Sequence, residues 1–142
     1  MPLWPALTFW KKSAPLQEHL RRGKAGENAA RKALQKKGMK FLVANFCHGK
    51  AEIDLIFRDG KCLVFIEVKT RSSEDWTRPA AAVDADKRWL VSKAALAYLR
   101  LLGNPQIPFR FDIVEVLLAE GEPAEIRHLV NAFQLSAPLR YS

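Results

Sequence analysis

Cysteine is scarce in this chain. Cys47 and Cys62 are the two cysteines among 142 residues, and they stand in no C-x-x-C spacing. A disulfide scaffold and a cysteine-ligated zinc site are thereby excluded, and both thiols are expected as intracellular core residues. Long apolar runs are also missing: nothing approaches the roughly 18 residues that a membrane-spanning helix needs. The apolar stretch Met1–Trp10 is short and broken by Pro2 and Pro5. It precedes its positive charges, Lys11 and Lys12, which is the reverse of a secretory signal. A cytoplasmic protein with no membrane partner is the expectation. Acids are scarce at one end only. Residues 1–50 hold two against eleven Lys and Arg, whereas residues 51–142 hold thirteen against twelve. A strongly basic first third suits a protein that grips phosphates, although a solubilising basic surface would give the same count.

What the chain does have is acid inside apolar strands. Glu52-Ile53-Asp54-Leu55-Ile56-Phe57 and Leu63-Val64-Phe65-Ile66-Glu67-Val68-Lys69-Thr70 each read as a strand, with Asp59-Gly60 between them as a hairpin turn signal. A two-residue turn at Asp59-Gly60 pairs Arg58 with Lys61, Asp54 with Phe65 and Glu52 with Glu67. Residues that pair or alternate share a face, so Glu52, Asp54, Glu67 and Lys69 are expected on one face. Ile53, Leu55, Phe57, Cys62, Val64, Ile66 and Val68 make the other face a core surface. A bulge would split the set. Crowded carboxylates raise a pKa or hold a cation, and hard oxygen donors favour Mg2+ or Mn2+. A divalent metal site for cutting phosphodiesters is the economical reading, with Lys69 orienting water or stabilising phosphate charge. An exposed sheet edge with mixed charges fits the spacing equally well.

Around this hairpin, residues 22–37 read as a helix capped by Gly38, with the small and apolar stripe Gly23, Gly26, Ala30, Ala33 and Leu34. Glu27 lies within that stripe and is a candidate site acid, or a first-turn acid favoured by the helix dipole. Met39–His48 reads as the first strand. Residues 71–83 form a loop in which Arg71, Trp76 and Arg78 are candidates for backbone and base contacts. Asp84 caps a helix to about Leu102, with Leu90, Ala94, Ala97, Tyr98 and Leu101 as its core stripe. Lys87 and Arg88 in its first turn oppose the dipole unless a phosphate binds there; pairing with Asp84 or Asp86 would serve as well. Phe109–Leu118 reads as a strand, Glu120-Gly121-Glu122-Pro123 as a turn, and Ile126–Phe133 as a last strand or irregular edge. Residues 1–20 are expected as a loosely ordered N-terminal extension, and residues 21–142 as one α/β domain with a mixed central sheet of about five strands flanked by helices.

Several ordered motifs over about residues 22–133 carry a family resemblance. Gly26-Glu27 with Ala30, Glu52-Ile53-Asp54-Leu55-Ile56, Phe65-Ile66-Glu67-Val68-Lys69-Thr70-Arg71, Lys87, the helix at Ala94–Leu99, and Arg110-Phe111-Asp112-Ile113-Val114 resemble the YraN-type family of bacterial proteins. Ala51, Ile53 and Phe46-Cys47 are the departures. The resemblance implies a restriction-endonuclease-like (PD-(D/E)xK) fold close to archaeal Holliday junction resolvases. Carried over by position, it implies Asp54 and Glu67 as Mg2+ or Mn2+ ligands, Lys69 as the residue assisting the attacking water, and Glu27 as the helix acid that completes the catalytic set, with Glu52 a further candidate ligand. The expected function is a metal-dependent endonuclease on branched or structured DNA. Arg22, Lys24, Arg31, Arg71, Trp76, Arg78, Lys87 and Arg88 would hold the nucleic acid, and dimerisation is a linked expectation, since a junction has two strands to cut. The alternative is a non-catalytic nucleic-acid-binding module in a recombination, repair or DNA-uptake machine.

Overall fold

The computed structural model describes residues 14–72 and 83–141, and side chains from Leu20 onward. Helix α1 spans Ala14–Lys36, strands β1, β2 and β3 span Lys40–His48, Ala51–Asp59 and Cys62–Arg71, helix α2 spans Ala85–Leu101, and β4 and β5 span Phe109–Ala119 and Glu122–Phe133. The strands lie in the order β1-β2-β3-β4-β5. Neighbours are antiparallel except β3 and β4, which are parallel and joined through α2. This is the expected α/β architecture, a five-stranded mixed sheet with two helices, consistent with a restriction-endonuclease-like arrangement.

The helices cover opposite faces of the sheet. Ala30 and Leu34 of α1 pack with Leu55, Phe57, Val64, Ile66, Val114 and Val116, while Val91, Ala94, Ala95 and Leu99 of α2 pack with Ile53, Ile56, Leu63, Phe65 and Phe111. Helix α1 begins at Ala14, eight residues before the expected start at 22. Pro15 does not prevent this, because a first-turn N–H has no intrahelical partner to lose. The helix ends as expected at Gly38, whose φ of +91° suits glycine, with the Met39 N–H bonding back to the Leu34 carbonyl. Asp84 caps α2 by accepting from the Lys87 N–H at 2.8 Å. The expected α2 stripe holds except at its end: Ala94 and Ala97 are buried and Leu90 and Tyr98 pack against the core, joined by Val91, Ala95 and Leu99, whereas Leu101 is 73% exposed. Strand β5 starts at Glu122 rather than Ile126, and it tolerates Pro123 because it is an edge strand and the β4 register shifts there. Cys47 is exposed rather than in the core, because edge strand β1 buries little of itself at that end.

At Gly26, α1 lies directly against Val68 and Thr70 of β3. A Cβ there would lie 2.2 Å from Thr70 Cγ2. Gly26→Ala gains about 1 kcal/mol of helix propensity and loses about 1–3 kcal/mol to overpacking, so net destabilisation is expected in urea unfolding. Adding Thr70→Ser, which removes that methyl, should recover most of the loss; an additive double mutant would show that the contact is not the cause.

Two corrections to the expected hairpin position the site. First, Asp59 pairs with Cys62, so the turn is Gly60-Lys61 rather than Asp59-Gly60. Gly60 occupies its first central position with φ +60°, as a II′ turn requires. The register therefore moves by two residues: Ile56 pairs with Phe65 and Leu55 with Ile66. Continued past Leu55, this register sets Asp54, not Glu52, level with Glu67.

Second, the alternation breaks. Ile53 and Ile56 pack on the α2 side while Leu55 and Phe57 pack on the α1 side, so Asp54 and Leu55 are two consecutive residues that leave the period of two. Strand β1 kinks at the same level. Val43 and Phe46 pack on the α2 side, and between them Asn45 takes φ +55°. The pairs Val43↔Ile56, Ala44↔Leu55 and Phe46↔Ile53 stay in register because both strands kink together.

Candidate functional site

The kink divides the expected acid face. On regular strand β3, Val64, Ile66 and Val68 pack toward α1, and so Glu67 and Lys69 point toward α2. Glu52 points the other way. It lies beside Glu27 of α1 in a cavity of about 670 Å3 that is also lined by Lys24, Arg31, Ala44, Asn45 and Leu55. The single face expected for Glu52, Asp54, Glu67 and Lys69 is therefore corrected. Asp54 sits at the kink between the two groups: its charge is felt by Glu27, and it feels the charge of Glu67.

Asp54 lies just past the last β2–β3 pair. Its Oδ2 accepts the Val68 N–H at 2.7 Å, so a side chain takes over where ladder pairing stops. The Glu67 carboxylate is adjacent, and its Oε1 is buried with no hydrogen-bond partner. Burial and the Glu67 carboxylate push the Asp54 carboxyl up to about 8, against the Val68 hydrogen bond. Burial also raises the Glu27 carboxyl, with the charges of Asp54 and Glu52 adding to the push and the Asn45 amide, which donates to Glu27 Oε1 at 3.2 Å, opposing it.

An acid pair with a buried oxygen that no hydrogen bond reaches and a carboxyl that resists ionisation is short of positive charge. Hard oxygen donors of this kind fit Mg2+ or Mn2+, which need one or two carboxylates and complete their shell with water and phosphate. Asp54 and Glu67 fit that role. Among the described residues no three His, Cys, Asp or Glu side chains converge into a metal-holding set. The proposed triad with Glu27 is thus not assembled, since Glu27 approaches from the α1 side of the kink.

The other expected contacts scatter. The Lys87 ammonium lies 3.5 Å from Glu67 Oε2, inside the site rather than at its margin. Lys69 is half-buried on the same face as Glu67. Lys24 and Arg31 line the α1-side cavity, with the Arg31 guanidinium 3.6 Å from the Phe41 ring centroid. Arg22 is half-buried on α1. Arg71 pairs with Glu115 at 3.4 Å, and Arg88 donates to the Val83 carbonyl at 2.7 Å. Trp76 and Arg78 lie outside the described residues.

Two residues, Asn45 and Glu115, escaped the sequence reading, and so did the place of Lys87 beside Glu67. Asn45 orients Glu27; an asparagine between Ala44 and Phe46 in a strand is the signal, because asparagine tolerates positive φ. The proximity of Lys87 to Glu67 left no local signal. Glu115 is fully buried on β4, paired with Lys69 across the sheet and flanked by Arg71 and by Arg127 at 3.7 Å. Its signal was an acid within the apolar run Ile113–Leu118.

Comparison with known proteins identifies relatives of this chain. The profile described as "Uncharacterised protein family UPF0102" matches residues 26–116, from Gly26 into β4. A UPF0102 protein of Geobacter sulfurreducens is 38% identical over 115 residues, covering 80% of this chain and 89% of its own length. One from Porphyromonas gingivalis is 38% identical over 121 residues, covering 84% and 89%. One from Symbiobacterium thermophilum is 41% identical over 111 residues, covering 78% and 94%. The matched span contains α1 from Gly26, the kinked hairpin, α2 and most of β4, and the chain belongs to the UPF0102 family.

Proposed function

We propose that this chain is a metal-dependent endonuclease of the PD-(D/E)xK type acting on branched or structured DNA in the cytoplasm. The observation that carries the reading is the Asp54–Glu67 pair where β2 and β3 stop pairing, with Glu67 Oε1 buried and unpartnered and Lys69 and Lys87 on the same side. Asp54 and Glu67 would hold Mg2+ or Mn2+, which when bound polarises a phosphate oxygen and acidifies water. The Val68 N–H fixes the Asp54 carboxylate in orientation. Lys69, two residues beyond Glu67, stabilises charge that develops on the phosphate. Lys24, Arg31 and Arg71 supply backbone contacts. A junction presents two strands to be cut, so a homodimer follows from this substrate.

A second reading is a nucleic-acid-binding module without catalysis. It is favoured by the separation of Glu27 from Glu67, which leaves a pair where a three-acid set was expected. The two readings part in one assay: single strand, duplex, flap and four-way junction, each with Mg2+, Mn2+ or EDTA. Metal-dependent cutting with a preference for branched forms supports the nuclease; binding of every form with no cutting supports the module. Both readings expect affinity to fall steeply with salt, by about 1,000-fold between 50 and 200 mM for six phosphate contacts. A flat salt response in electrophoretic shift or anisotropy titrations would remove both.

A further inference from the structure

We propose that Lys87 is a built-in occupant of the Asp54–Glu67 cation site, and that loading of a divalent cation is coupled to phosphate binding through its release. The inference rests on reading Asp54 and Glu67 as a divalent-cation pair. Its own support is the position of Lys87. The residue lies in the first turn of α2, where the helix dipole disfavours a cation, and yet its ammonium is turned onto Glu67 at 3.5 Å. The Lys87 backbone N–H is tied to the Asp84 cap, so the base of the side chain is fixed while its four-carbon stem is free to swing. Its charge is also felt by Asp54.

Magnitudes decide which cation wins. Lys87 is 39% exposed, and an ion pair of that exposure is weak. It also leaves Glu67 Oε1 unsatisfied. The ammonium is therefore a placeholder that balances the crowded acids without filling the site. When a phosphate arrives at the α2 N-terminus, the released ammonium and the helix end can both turn to it. Vacating the pair in this way favours divalent binding, and by linkage the divalent cation favours phosphate to the same degree. Lys87 thus acts as a positioning residue that couples the two.

The test is isothermal titration of the full chain with Mn2+ alone. Lys87→Met is expected to bind Mn2+ about three- to fivefold more tightly than wild type, the upper end of what one partly exposed ion pair is worth. Lys93→Met, an equal charge loss on α2 at a lysine stationed near Trp89, should change affinity less than twofold. A phosphorothioate-linked four-way junction should tighten Mn2+ binding more in wild type than in the Lys87→Met protein, which keeps only the contribution of phosphate as a metal ligand. Lys87→Gln provides a second uncharged variant should the first fold poorly. No gain in either Lys87 variant, an equal gain in Lys93→Met, or no Mn2+ binding in any protein would overturn the proposal. Tighter Mn2+ without cleavage by any variant upholds it and removes the nuclease. Cleavage by wild type with unchanged Mn2+ affinity in the Lys87 variants does the reverse.

Discussion

Asp54→Asn is expected to lower metal-dependent cleavage by at least about three orders of magnitude while leaving the protein folded. The size follows from the several kcal/mol of transition-state stabilisation that a bound metal contributes, at 1.36 kcal/mol per tenfold. Folding survives because asparagine has the same shape and its Oδ1 can still accept the Val68 N–H. Replacing one of two adjacent carboxyls with a neutral amide also relieves crowding against Glu67, so the melting temperature should be equal to or above that of wild type. DNA binding should be retained or tightened, because one acid near the incoming phosphate is gone. Single-turnover cleavage, melting and anisotropy on one preparation separate these effects. A variant that cuts within tenfold of wild type would remove Asp54 from the chemistry, and one that melts well below wild type would mean that the loss of cutting reports unfolding.

Asp54 was legible as a site residue because an acid in an apolar strand needs an explanation that local patterning does not supply. The same logic identified Glu67, and the α1 stripe through Gly26, Ala30 and Leu34 was set by simple helical spacing. What the sequence did not disclose was the face on which the acids lie. Asp-Gly is a strong turn signal, but glycine at the first central position of a II′ turn moves the turn by one residue and the pairing by two. Taken alone, that shift preserves parity. The matched kink at Asn45 and Asp54 does not, and it depends on two strands bending together, a tertiary property. Lys87 illustrates the same limit. It reaches Glu67 across twenty residues of chain, and only the fold brings them together. The kink also has a function in this reading: it sets Asp54 against the Val68 N–H and Glu67 while the flanking Ile53 and Leu55 remain buried on opposite faces.

The largest stability effect is expected at Asp112, away from the acid pair. Its side chain is fully buried and accepts from Arg110 Nε at 3.0 Å, from the Asn131 N–H at 2.8 Å and from His128 at 2.7 Å, while Arg110 Nη2 continues to Asp59 at 3.0 Å. The Lys37 ammonium lies 2.9 Å from His128 Nδ1. Lysine can only donate, so this contact casts Nδ1 as acceptor and Nε2–H as donor to Asp112. One carboxylate thus ties β4 and β5 and, through its partners, the β2–β3 turn and the end of α1. Removing one partner from a buried pair strands the other, at about 3–5 kcal/mol. Asp112→Asn should therefore cost about 3 kcal/mol in urea unfolding, whereas Asp59→Asn, at the half-exposed end of the network, should cost under about 1 kcal/mol. The pH dependence has a definite sign. Burial would raise the Asp112 carboxyl, but hydrogen bonds from His128, Arg110 and the Asn131 N–H, with the Arg110 charge, outweigh it and hold the group below the ordinary carboxylate range. A depressed pKa stabilises the fold above the unfolded value of about 3.9 and loses that stabilisation as pH falls through the folded value. Wild type should therefore lose stability steeply below about pH 4, and Asp112→Asn should start lower and fall less. Parallel acid titrations of the two proteins would contradict the assignment of that stabilisation to Asp112.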